Sequence, residues 1–231
     1  MSTEGTRNGT WLEQNDAESL SDGIYQWLRE RIIDGTLTPG SRIRERELAE
    51  ELQVSRIPIR EALPQLESEG YIRSMPRRGA VVTQMTVRDV EELFDVRASL
   101  EVLAARLAAA ECAKGAVTDG LDAALAKAEK AIAARDEVLI ANVNSRIHEE
   151  ILLVSNSTLL KGLMSPVEGR VRRLFHIVTD RDQVGLHREH FALCKAIAEG
   201  QVELAGALAF AHVEQSRHDS MPIVAKLLPQ A

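Results

Sequence analysis

Residues 35–82 read GTLTPGSRIRERELAEELQVSRIPIREALPQLESEGYIRSMPRRGAVV. Three breaks divide this stretch: Thr38-Pro39-Gly40 is a turn, Gln53-Val54 turns the chain again, and Gly70 stops a helical run. Between the first two breaks, Leu48, Ala49 and Leu52 recur at helical spacing and predict a short helix from Glu45. After the second, Ser55 suits an N-cap, and Ile59, Ala62, Leu63 and Leu66 form one apolar stripe. Pro58 falls in the first turn of that helix, where its missing N–H breaks no intrahelical bond. Beyond Gly70, Tyr71-Ile72-Arg73 and Ala80-Val81-Val82 are β-prone, and Pro76-Arg77-Arg78-Gly79 reads as a hairpin tip. Upstream, Leu20, Ile24, Trp27, Leu28 and Ile32 predict one more helix, closed by Asp34-Gly35. Helix, helix, turn, helix, hairpin is a winged helix-turn-helix pattern.

Outward from this stretch the character changes. Residues 1–16 are polar and aperiodic and read as a mobile tail. From about Thr86 strand signals vanish and alanine becomes abundant. Amphipathic segments predict helices near 87–113, 118–134, 137–154, 157–178, 184–199 and 201–217, with a last short one near 220–228. No heptad persists, so an antiparallel helical bundle is expected rather than a coiled coil. The expected fold is therefore mainly α: a winged helix-turn-helix over 17–84, with a small β-hairpin wing, then an all-α antiparallel bundle over 85–231.

Composition excludes several classes. The 231 residues carry a net charge of −7, so any nucleic-acid surface must be local. No apolar run reaches the roughly 18 residues that cross a bilayer, and the opening MSTEGTRNGT has no apolar signal core. Two distant cysteines, Cys112 and Cys194, make neither a zinc module nor a disulfide framework, which fits a reducing cytoplasm. Walker, Rossmann, GxSxG and HExxH patterns are all missing.

Residues 1–84 hold 11 arginines and no lysine, and eight of those arginines fall between Arg42 and Arg78. Arg56 and Arg60, at i and i+4, share an exposed face near the N-terminus of the second helix of the helix-turn-helix. A recognition helix presents side chains to base edges from that position. Arginine's planar fork can grip guanine O6/N7 or a phosphate. Arg77 and Arg78 at the hairpin tip could enter a minor groove or clamp phosphate. The plainer reading is a solvated face paired with Glu45, Glu47, Glu50, Glu61 and Glu67.

All six histidines lie at or after His148. Asn144 and His148 border the stripe Ile140, Val143, Ile147 and Ile151. His190 aligns with Cys194 and Ile197, and His212 follows Leu204 and Leu208. Three helices thus each turn a histidine inward, whereas His176 falls off its stripe and is expected to be exposed. Either each is a satisfied core histidine, or they converge on one cation. On the first bundle helix, Arg97 sits within the buried stripe of Val90, Leu93, Phe94, Leu100, Ala104 and Leu107, where a cation needs a partner. Glu101, at i+4, is the plain candidate.

Residues 35–82 resemble the winged-helix domain of the GntR family of bacterial transcriptional regulators. The helical remainder, opening with LFDVRASLE (93–101), resembles the FadR-type effector domain known as FCD. The resemblance implies Arg46, Arg56, Arg60, Arg77, Arg78 and Gly79 as DNA contacts, with Ser55 at the helix N-cap beside them. Ile57 stands where the family often carries a polar residue, so readout at that step is apolar or absent. The resemblance also implies a metal site of Asn144, His148, His190 and His212, taking a divalent transition ion. Imidazole favours zinc or nickel, and Asn144 where Asp is common weakens the site by one charge. Arg97 and the metal would together grip a small organic acid. The expected protein is a cytoplasmic homodimeric regulator, a repressor, reading a short palindrome on double-stranded operator DNA, with no membrane partner. A metal-dependent bundle enzyme carrying a winged-helix module, or a winged helix that docks proteins, are the rival readings.

Overall fold

The computed structural model describes residues 20–75, 79–135, 137–178 and 182–230. The chain divides into two compact units, with the boundary between Gln84 and Met85. The expected tail over 1–16 lies outside the described residues, as do Arg77 and Arg78.

The first unit contains α1 (Leu20–Ile33), β1 (Arg42–Ile43), α2 (Glu45–Leu52), α3 (Arg56–Ser68), β2 (Ile72–Met75) and β3 (Gly79–Val82). Ile24, Leu28 and Ile32 of α1 meet Leu48 and Leu52 of α2 and Ile59 and Leu66 of α3 in one core. The α2–α3 turn is made by Gln53 at φ 54°, whose amide closes back on Ala49. Ser55 takes the N-cap position of α3 with extended backbone, but its hydroxyl makes no capping hydrogen bond. Pro64 also lies inside α3 on its exposed side; its missing N–H leaves the Arg60 carbonyl without the usual i+4 donor.

The sheet has the antiparallel order β1-β3-β2, so the hairpin carries a third strand. Two-residue β1 escaped the sequence reading because it is too short to show a period. It pairs Arg42 with Val81 and Ile43 with Ala80. Gly79, opposite Met75, has φ +77°, and a Cβ there would lie 2.5 Å from the Ile43 carbonyl oxygen. Only glycine lets β1 approach so closely.

The second unit is helical throughout: α4 (Val87–Cys112), α5 (Asp119–Ala134), α6 (Glu137–Val154), α7 (Thr158–Ile177), α8 (Gln183–Ala198) and α9 (Val202–Leu227). Thr86 and Asp89 form a reciprocal capping box that starts α4. Small residues let α4 and α9 lie close, with Ala104, Ala105, Ala108 and Ala109 on one and Ala205 and Ala209 on the other all buried. The Arg106–Glu203 and Asp95–Arg217 ion pairs fix these two helices antiparallel. The expected break after residue 217 is absent, and α9 runs unbroken through Pro222. Val213, Ser216, Ser220 and Val224 continue one buried stripe, and that burial outweighs the single bond proline removes. The Val87 amide donates to the Pro229 carbonyl at 2.8 Å, closing the unit on itself. No helix among the described residues is long and apolar enough to cross a membrane.

Candidate functional site

In the first unit, the candidate surface is the N-terminal half of α3. Arg56 and Arg60 lie on its first two turns with side chains 53% and 58% exposed. Both reach across the turn to one carboxylate. Glu45 Oε2, at the start of α2, accepts from Arg56 Nη2 at 3.0 Å and from Arg60 Nε at 2.7 Å. Partial burial pushes the Glu45 carboxyl up, but the two guanidinium bonds outweigh it and hold the group below its usual range. Arg44 pairs with Glu47 at 2.6 Å, and the well-exposed Arg46 lies 3.9 Å from Glu50. Solvated pairs of this kind are worth little and exchange readily for a phosphate. Ser55 is exposed beside Arg56, and Ile57 stands 65% exposed next to it.

The second unit holds a cavity of about 370 Å³. His148 of α6, His190 of α8 and His212 of α9 come together on its wall, with ligand nitrogens all within 4.8 Å of one another. Their ring centroids are 4.7–5.3 Å apart. Asn144, one turn before His148, lines the same cavity, and its amide donates to Gln183 Oε1 at 3.4 Å. His176 is exposed, at the edge of this cavity rather than within the cluster.

Two carboxylates orient the cluster. Glu189 Oε2 lies 2.8 Å from His212 Nδ1, and Glu101 Oε2 lies 3.3 Å from His148 Nδ1. A carboxylate on Nδ1 settles the tautomer and leaves Nε2 as the nitrogen that can face a cation. Burial pushes His212 down, which keeps its ring neutral and able to act as a ligand at neutral pH. The donor set thus fits a divalent transition ion: three imidazoles, two backed by carboxylates, and an amide oxygen on the same wall.

Arg97 is fully buried and donates through Nε to Glu101 Oε1 at 2.6 Å. Burial pushes the Glu101 carboxyl up, but the adjoining Arg97 guanidinium and His148 hold it well below the usual range. The guanidinium also lies 5.2 Å from the Phe94 ring centre and 5.5 Å from that of Phe175. Its Nη1 has no hydrogen-bond acceptor among the described residues. Glu101 and Phe175 line the cavity, while Arg97 sits behind them.

Most of the helical-unit residues singled out in the sequence therefore meet. Glu189 was missed, although it directly precedes His190, and so was the second role of Glu101. For the arginines of α3, Glu45 of α2 was one of five candidate partners; its hold on two of them at once depends on the α2–α3 turn and has no mark in the sequence.

Comparisons with known proteins place this geometry. Residues 20–82 match the family described as bacterial regulatory proteins, gntR family, and residues 92–215 match the FCD domain. The chain is 32% identical over 192 residues to the uncharacterized HTH-type transcriptional regulator YdhC of Bacillus subtilis (strain 168), covering 82% of this chain and 85% of that one. It is 28% identical over 187 residues to the Nta operon transcriptional regulator of Aminobacter aminovorans, covering 80% and 87%. A crystal structure of a GntR transcriptional regulator from Rhodococcus sp. RHA1 superposes with a TM-score of 0.73 at 26% identity, over 91% of this chain and 99% of that one. These relatives and both domains are regulators rather than enzymes, which removes the metal-dependent enzyme as a rival. The chain belongs to the GntR family and is a DNA-binding transcriptional regulator with an FCD domain.

Proposed function

We propose that this regulator is a homodimeric cytoplasmic repressor whose grip on a short palindromic operator is set by a small organic acid, bound beside a divalent ion in the helical unit. On the DNA side, Arg56 and Arg60 project from the first turns of α3, where a recognition helix meets the major groove. Arginine forks there can take guanine O6/N7. Ser55 and the free amides of the first turn suit a phosphate, as does the solvated Arg46. From the hairpin, Arg77, Arg78 and Gly79 would follow the neighbouring backbone or minor groove. Two copies give a two-fold surface, matching two half-sites of a palindrome.

The observation that carries the effector reading is the meeting of three inward imidazoles on one cavity wall, two of them held from behind by carboxylates. His148, His190, His212 and the Asn144 oxygen would hold the ion, with zinc or nickel favoured by imidazole. Such an ion would supply a Lewis-acidic partner for a carboxylate oxygen of the acid. Glu189 and Glu101 keep their histidine rings in one tautomer and orientation. Arg97 is off the cavity wall and neutralised by its buried pair with Glu101, so it would steady that carboxylate rather than grip the acid, contrary to the expectation from sequence, and the acid's carboxylate would fall to the ion. Ile140, Met164, Val171 and Phe175 line another part of the wall and suit an acid with an apolar body better than a polyhydroxylated one. Binding inside this unit and binding to DNA are then coupled, and the coupling is reciprocal: the operator must change affinity for the acid by the same factor.

The test is metal analysis of the purified full chain before and after dialysis against chelator, then titration of zinc-loaded protein with benzoate and with gluconate. The expected result is one ion per chain, lost in His190→Ala, and a benzoate-dependent shift in operator affinity. A wild type without metal, or His190→Ala holding as much as wild type, reduces the cluster to core histidines.

A further inference from the structure

Ile57 is the most exposed large apolar side chain among the described residues of the first unit, at 65%. It occupies the second position of α3, and nothing local calls for it there. A β-branched residue is a weak helix former, and polar or acidic residues serve a first turn better. Packing does not hold it either. At about 100° per residue, Ile57 falls on the side of α3 opposite the buried Ile59 and Leu66. Arg60 borders it one turn further on, and Arg56 precedes it.

The flanking groups specify what can cover this side chain. Two exposed guanidinium groups tied to one carboxylate leave that trio at +1, and the exposed Glu61, at i+4 from Ile57, offsets it, so the two planar guanidinium forks rather than net charge suit a nucleic-acid partner. Isoleucine has no donor for a phosphate oxygen. In the major groove the apolar group on offer is the C5-methyl of thymine.

We propose that Ile57 is a specificity-determining residue that packs on a thymine methyl beside the base read by Arg56 or Arg60. The inference rests on α3 being the recognition helix, and goes beyond it by assigning a second base through contact of two apolar groups. Burying a methyl against isoleucine changes affinity by about 4-fold. The contact also explains how this surface tolerates an apolar residue at its centre: the free protein leaves Ile57 in water, and the operator covers it.

The experiment starts from a duplex selected from a random pool by the full-length wild type. Each thymine of the selected site is then replaced singly by deoxyuridine, which removes only the methyl. Affinities of wild type and Ile57→Ala are read by fluorescence anisotropy at fixed salt, with thermal melts as a check that the exposed substitution leaves the fold intact. At one thymine per half-site, deoxyuridine should weaken wild type about 4-fold and leave Ile57→Ala unchanged. If wild type and Ile57→Ala lose equally at every thymine, or the selected half-site contains no thymine, the inference is overturned. Arg56→Ala separates the two levels. Loss of selection by this variant upholds α3 as the reading helix whatever Ile57 does, whereas unaffected selection overturns both.

Discussion

Replacing Glu45 by glutamine tests how Arg56 and Arg60, the two arginines proposed to read DNA, are held. The carboxylate is 20% exposed, the two guanidinium groups are more than half exposed, and all three meet at Glu45 Oε2. Glutamine keeps the shape and removes one negative charge, taking the trio from +1 to +2. Each solvated pair is worth about 0.2–1 kcal/mol, so two pairs contribute about 0.4–2 kcal/mol to ordering the arginines before DNA arrives. The extra positive charge strengthens binding to any duplex and steepens the salt dependence by about 0.9 in log–log slope, if it neutralises one more phosphate. The lost ordering acts the other way on the selected site. The ratio of specific to non-specific affinity should therefore fall by roughly tenfold, about 1.4 kcal/mol, while affinity for scrambled duplex rises. Anisotropy titrations of selected and scrambled duplexes between about 50 and 200 mM salt measure both quantities. A specificity ratio and slope equal to wild type would falsify the account, because the carboxylate would then neither order nor neutralise the arginines when DNA is bound.

Arg56→Ala and Arg60→Ala should each cost about 1–3 kcal/mol at the selected operator and relax its sequence preference, read in the same titrations. Equal affinity at matched salt would remove the arginine from base contact. Gly79→Ala would set a Cβ 2.5 Å from the Ile43 carbonyl oxygen at a φ of +77°, so it should displace β1 and lower stability by about 1–3 kcal/mol in thermal or urea melts; an unchanged midpoint would mean that β1 is dispensable. Burial pushes the Cys194 thiol up to about 12, so thiol reagents should leave it intact in native protein at neutral pH and reach it on unfolding. Rapid native reaction of both cysteines would contradict its placement in the core.

The parts of the fold legible in the sequence were those that repeat or punctuate. Ile59, Ala62, Leu63 and Leu66 mark the inner face of α3 by period alone, and Gly70 marks its end. The same arithmetic put Arg97 on a buried face, where the structure has it wholly enclosed. Features set by tertiary contact had no such mark. A two-residue strand has no period, and its presence depends on Gly79 leaving room for it. Pro222 reads locally as a stop, yet packing against α4 carries α9 through it. Three histidines on three helices could be phased inward one at a time. That Glu189 backs one and Glu101 backs another follows from how α8 meets α9 and how α4 meets α6. The inward phase of each histidine was legible, their meeting stood as one of two alternatives, and the carboxylates behind them were only partly legible.

The bond from the Val87 amide to the Pro229 carbonyl brings the two ends of the helical unit to one place. An amide in the first turn of a helix needs a partner from outside that helix, and here it comes from the far end of the chain. A unit whose ends meet is topologically close to a ring. A short linker could join them, and new ends opened at the Lys114–Gly115 turn, where Gly115 has φ +100°, would cut no helix. Such a rearranged unit should keep its histidine cavity while losing its attachment to the winged helix, so ligand binding could be studied without the DNA-binding half.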